Sequence, residues 1–179
     1  MAFDDTAKEA TDRIDIAIRM SPGTHEDFAE LAMEDLGFRL APWYGRLLTN
    51  LTMMAGTTPP VYGQAMILED NVEIVVLTET LVTVGRVSHV PSARATMDLR
   101  SVPRSAIRSL EVDATMPVNE HHRSLYAWPG ILDVTAYYDG LDVPLRAKGH
   151  SYDHGAEGNV SSMWALTEQL RADLERKAQ

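Results

Sequence analysis

The chain has 179 residues, is 45% hydrophobic and carries a formal charge of −10 at neutral pH. That is enough to bury one good core, and the acidic mean field disfavours general binding to nucleic acid or to anionic membranes. Cysteine is absent, which excludes disulfides, thiolate nucleophiles and zinc–thiolate sites.

The first twenty residues, MAFDDTAKEATDRIDIAIRM, lack the basic start and unbroken apolar block of a signal peptide. No window reaches the roughly 18 apolar residues that span a bilayer, so a cytoplasmic protein is expected. Ala7, Ala10, Ile14, Ala17 and Ile18 recur at helical spacing within residues 4–20. After the break at SPGT, Thr24 with Asp27 predicts an N-cap. The helix it opens carries Phe28, Leu31, Ala32 and Leu36, and Gly37 suits its end. Pro42 suits the first turn of a third helix. Trp43, Leu47, Leu51 and Met54 would share one face of it, and Gly56 would end it. TTPP at 57–60 then closes a helical N-terminal extension, residues 1–60, ahead of a β-domain at 61–179.

Beyond TTPP the period becomes that of strands. QAMIL and the turn EDN precede VEIVVLT, which is apolar on both alternating sets, as a strand buried on both faces would be. LVTVGRVS follows after a bend at Thr78, Glu79 and Thr80, and ATMDL and AIRSLEVD are further strands. Pro103 belongs in a connection, with Ser105 able to bond nearby backbone and Ile107 to anchor the returning strand. ILDVTAYY and LDVPLRA flank Asp139-Gly140, which can supply the positive φ of a tight turn. Pro144 assigns the last strand to an edge or a bulge. HSYDHGAEGN reads as a polar loop. Ser161 or Ser162 would cap a final helix whose stripe is Met163, Leu166, Leu170 and Leu174. Trp164 and Leu170 are expected at its interface with the sheet. Glu168 with Arg171, and Asp173 with Lys177, have the spacing of solvent-side ion pairs.

About seven short strands and one closing helix resemble the pleckstrin-homology-like domains of bacteria. VEIVVLTETLVTVGRV looks like their paired strands, LRSVPRSAIRSLEVD like their proline-serine-isoleucine approach to the next strand, and LDVTAYYDGLDVPLRA like their late hairpin. Residues 161–177 are similar to their closing helix, so the resemblance covers roughly 63–179. It implies an α+β fold: a strongly bent antiparallel sheet or barrel, closed by the C-terminal helix. It implies no activity, because the motifs carry no catalytic group and the family has many unrelated roles.

Three constellations bear on function. Arg86, Arg94, Arg100, Arg104 and Arg108 fall within 24 residues that hold a single acid, Asp98. Guanidinium groups hold phosphate bidentately, so these could form a site for a small anion or lipid head group. Against this, the stretch has no lysine and no basic-x-basic cluster, and arginines pairing with the chain's own acids is the plainer expectation. His150, Asp153 and His154, with Glu120, His121 and His122, could form a metal-dependent enzyme site if brought together, though loops are the simpler reading. No metal or other cofactor is required. No G-x-S-x-G elbow, Walker loop or G-x-G-x-x-G is present. Trp43, Leu47, Leu51 and Met54 are more apolar than a surface helix needs, which suggests packing on the chain's own β-domain or an interface. The expectation is therefore a non-enzymatic interaction or scaffold domain that forms a homodimer or binds a protein partner, with Trp43, Leu47 and Leu51 near the contact.

Overall fold

A computed structural model describes residues 5–21, 24, 27–34, 39–92, 94–115, 130–150 and 157–177. The chain forms two compact units, Met1–Pro103 and Arg104–Gln179.

In the first unit, α1 (Asp5–Arg19), α2 (Phe28–Ala32), a ribbon of β1 (Met33–Glu34) and β2 (Arg39–Leu40), and α3 (Pro42–Ala55) precede four strands. These are β3 (Pro60–Leu68), β4 (Asn71–Thr78), β5 (Leu81–Ser88) and β6 (Thr96–Pro103), antiparallel in that order. Register places Ala65, Ile74, Gly85 and Leu99 in one cross-strand row, and Ile67, Val72, Val87 and Met97 in another. Both rows belong to the face that α1 and α3 cover. Their residues share one core with Ile14, Ile18, Phe28, Trp43, Tyr44, Leu47, Leu48 and Leu51. Phe28 meets the Trp43 and Tyr44 rings edge-on, with centroids 6.2 and 5.4 Å away, an arrangement that suits aromatic quadrupoles. The polar ends of both rings are satisfied: Trp43 Nε1 donates to the Leu31 carbonyl at 3.2 Å and Tyr44 Oη to Asp15 Oδ1 at 2.8 Å.

Gly63 lets α1 lie close to β3. A Cβ there would sit 2.8 Å from the Ala17 carbonyl carbon. Thr24 does not cap a helix. Its hydroxyl donates to the Ile18 carbonyl and accepts the Ala65 N–H, tying the end of α1 to β3. The second helix is a single short turn, because the chain becomes extended at Met33, with φ −120° and ψ 152°. Leu36 and Gly37 lie outside the described residues. Gly56 does end α3, at φ 68°, its N–H bonding the Thr52 carbonyl. The division between units falls after Pro103, not at the expected residue 60, because the helices and the four-stranded sheet bury their apolar faces in one shared core.

The second unit opens with a 3-10 turn, Arg104–Ala106, followed by β7 (Ile107–Ala114), β8 (Ile131–Tyr138), β9 (Leu145–His150) and α4 (Glu157–Lys177). Among the described residues the order β7-β8-β9 leaves β9 at an edge, directly after Pro144, as the proline implies. Along β8, Leu132, Val134, Ala136 and Tyr138 are buried while the alternate residues are half-buried, the period-two pattern of a strand with two unlike faces. The β8–β9 connection spans six residues, not a two-residue turn, although Gly140 does take φ 89°.

Helix α4 packs against β7, β9 and the 3-10 turn. It begins at Glu157, so Ser161 and Ser162 are internal to it and not its caps. Met163, Leu166 and Leu170 are buried, whereas Trp164 is 48% exposed and so is not at the buried stripe expected of it. No described helix is long and apolar enough to cross a membrane.

The seven main strands and the C-terminal helix make an α+β fold, but the expected single bent sheet or barrel is corrected. The strands form separate four- and three-stranded sheets that do not close. The change comes where β6 ends in Pro103, which has no N–H to extend a ladder, and the chain tightens into the 3-10 turn.

Candidate functional site

The five arginines divide between the units. In the first, register sets Glu73 beside Arg86 and Arg86 beside Asp98, with Arg100 two residues on along the same face of β6. Arg86 Nη2 lies 2.5 Å from the buried Glu73 Oε1, and Arg100 Nε lies 3.7 Å from Asp98 Oδ1. Cross-strand pairing thus sets the two arginines among acids of their own sheet. Arg94 is exposed in the β5–β6 connection, where its N–H donates to Ser92 Oγ.

In the second unit Arg104 is buried and Arg108 exposed. Arg104 Nε donates to Asp173 Oδ2 at 2.7 Å and its Nη1 to Gln169 Oε1 at 3.4 Å. Asp173, 1% exposed at its side chain, also accepts from Arg176. The Arg108 guanidinium lies over the Tyr137 ring, 5.8 Å from its centroid, while the Tyr137 hydroxyl donates to Glu111. The Tyr138 hydroxyl is buried without a hydrogen-bond partner among the described residues. Burial holds its pKa above the usual tyrosine value, and the Asp173 charge adds to this while Arg104 opposes it.

Spacing alone therefore misleads at Asp173. It does not pair with Lys177 in solvent; Lys177 reaches Asp139 across the unit at 2.9 Å. The signal was present in the sequence, since Asp173 continues the buried stripe of Leu166 and Leu170, where a carboxylate needs a partner. Its partner, 69 residues earlier in the chain, carried no comparable mark. Glu168 and Arg171 do form an exposed pair, at 2.5 Å.

The apolar face of α3 is also corrected as an interface. Trp43, Leu47 and Leu51 are fully buried in the chain's own core, and Met54 is half-buried. Of the histidine constellation, Glu120, His121, His122, Asp153 and His154 lie outside the described residues, and His150 ends β9. Among the described residues no group of three His, Asp or Glu side chains could hold a metal ion.

No protein-family model matches the chain, and no curated protein matches it. Among solved structures, it is similar to a pleckstrin homology domain from Shewanella amazonensis SB2B, with 14% identity over 69% of this chain and 92% of that one, at a TM-score of 0.35.

Proposed function

We propose that the chain is a non-enzymatic interaction module of the cytoplasm, built on a pleckstrin-homology-like arrangement of strands and closing helix, and that it self-associates. One observation carries this. The large apolar groups of α3 are used internally, yet β6 ends its sheet with Thr96, Asp98 and Arg100 exposed. A terminal strand offers backbone donors and acceptors to another chain.

Sedimentation equilibrium at micromolar concentration tests the proposal. A mass above that of the 19.8 kDa chain is expected. A monomer that persists at the highest concentration would overturn self-association. Calorimetric titration with inositol phosphates tests the competing anion-binding role of Arg86, Arg94, Arg100, Arg104 and Arg108. No saturable heat is expected, since Arg86, Arg100 and Arg104 already face carboxylates.

A further inference from the structure

Self-association through a strand edge, on which the following rests, requires a strand complementary to itself. A two-fold axis perpendicular to the sheet pairs a strand antiparallel with its copy, and each contact then occurs twice. Directly opposed side chains must share a face, so only residues an even number apart can be set opposite one another.

Among the described residues four strands end the two main sheets: β3, β6, β7 and β9. β3 has no charged residue, and its register shifts between Pro60 and Tyr62. In β7 the acids are Glu111 and Asp113, and the even-numbered Arg108 cannot oppose either. A two-fold centred on Val112 would set the two acids against each other. In β9 a two-fold centred on Ala147 sets Arg146 against Lys148. Like charges directly opposite destabilise a sheet.

β6 differs. Centred on Leu99, its own antiparallel copy places Asp98 opposite Arg100 and Arg100 opposite Asp98. The side chains of Asp98 and Arg100 are 76% and 50% exposed. On the same face Thr96 meets Val102. On the other face Met97 meets Ser101, and Leu99 meets itself. Met97, Leu99, Ser101 and Val102 are half-buried, so further cover would remove apolar surface from water. Pro103 falls just beyond the seven residues so paired, where its missing N–H costs no ladder bond. Among the described residues no strand pairs along the outer side of β6.

We propose that the chain forms a two-fold dimer in which β6 pairs antiparallel with β6 of a second copy about Leu99, joining two four-stranded sheets into one of eight strands. Charge reversal tests it on the full chain by sedimentation, with circular dichroism confirming the fold. Asp98→Arg alone and Arg100→Asp alone each set like charges opposite one another twice, and each is expected to raise the dimer Kd roughly tenfold or more. An equimolar mixture of the two variants restores opposite charges at every such contact and is expected to recover the dimer. So is the double variant Asp98→Arg/Arg100→Asp, which should pair with itself but not with the wild-type chain; free mixing with wild type would overturn the β6 contact even should either single variant fold poorly. A wild-type dimer whose affinity neither single variant changes would overturn the β6 contact and leave self-association standing. A wild-type monomer overturns both.

Discussion

The two units hold their helices to their sheets by different chemistry. In the first, α1 and α3 lie on the four-stranded sheet through an apolar core organised by Phe28, Trp43 and Tyr44. In the second, the stripe of α4 that carries Leu166 and Leu170 also carries Asp173, held by the Arg104 guanidinium from the 3-10 turn. Apolar burial is non-directional and tolerates small shifts. A buried ion pair is strict about position, and it adds little stability over an apolar pair because both charges must leave water. Helices α1 and α3 thus adhere to their sheet, whereas the Arg104–Asp173 pair sets the register of α4.

Deleting the anchor of each unit should have the largest effect. Trp43→Ala should cost about 3–5 kcal/mol in chemical denaturation, the range for emptying a buried aromatic site. Asp173→Ala should cost about the same, 3–5 kcal/mol, because it strands Arg104 in a buried position. The two then part. An apolar double replacement, Arg104→Met/Asp173→Leu, should recover most of the loss, within about 1–2 kcal/mol of the wild type. Failure to recover would mean that the pair contributes stability in its own right and not only position.

Gly63→Ala should cost about 1–3 kcal/mol, the range for overpacking. The added methyl meets the α1 backbone at Ala17, which cannot swing aside as a side chain would. An unchanged denaturation midpoint would show that α1 can slide on the sheet.

An alkaline scan compares the units in a single experiment. Tyr44 and Tyr62 in the first unit and Tyr138 in the second have pKa values held above the ordinary 10.0, in each case chiefly by burial. The unfolded chain releases these protons first. The stability involved is therefore intact below about pH 10 and is lost as pH rises through the folded values. Ultraviolet titration should show these three hydroxyls ionising only as the circular dichroism signal collapses. Reversible ionisation of all six tyrosines in the folded chain would contradict the burial assigned to them.

The smallest effect is expected at the exposed pair of Glu168 and Arg171. Arg171→Ala should change stability by less than about 0.5 kcal/mol, with the remaining difference screened by salt. A loss of several kcal/mol would make ion pairing on α4 more than a local matter at Asp173.

Much of the fold was legible because it is written in local period and punctuation. The stripe in residues 4–20, Pro42 and Gly56 around α3, the β4–β5 bend and the edge position implied by Pro144 all depend on neighbours a few residues away. The candidate site was less legible. That Arg86 lies beside Glu73 follows from register, which joins residues 13 apart. That Arg104 meets Asp173 joins residues 69 apart.

From the chain alone one reads the seven main strands, helices α1, α3 and α4, the absence of thiol chemistry and the apolar character of α3. Those properties belong to residue types and short-range spacing. Packing determines that α3 buries its apolar face in its own chain, that the strands divide into two sheets at Pro103, and that Asp173 is buried while Trp164 is half exposed. All three have one cause. Periodicity marks which residues can be buried, but partners distant in sequence must compete for the same volume, and only packing settles which side chains obtain it.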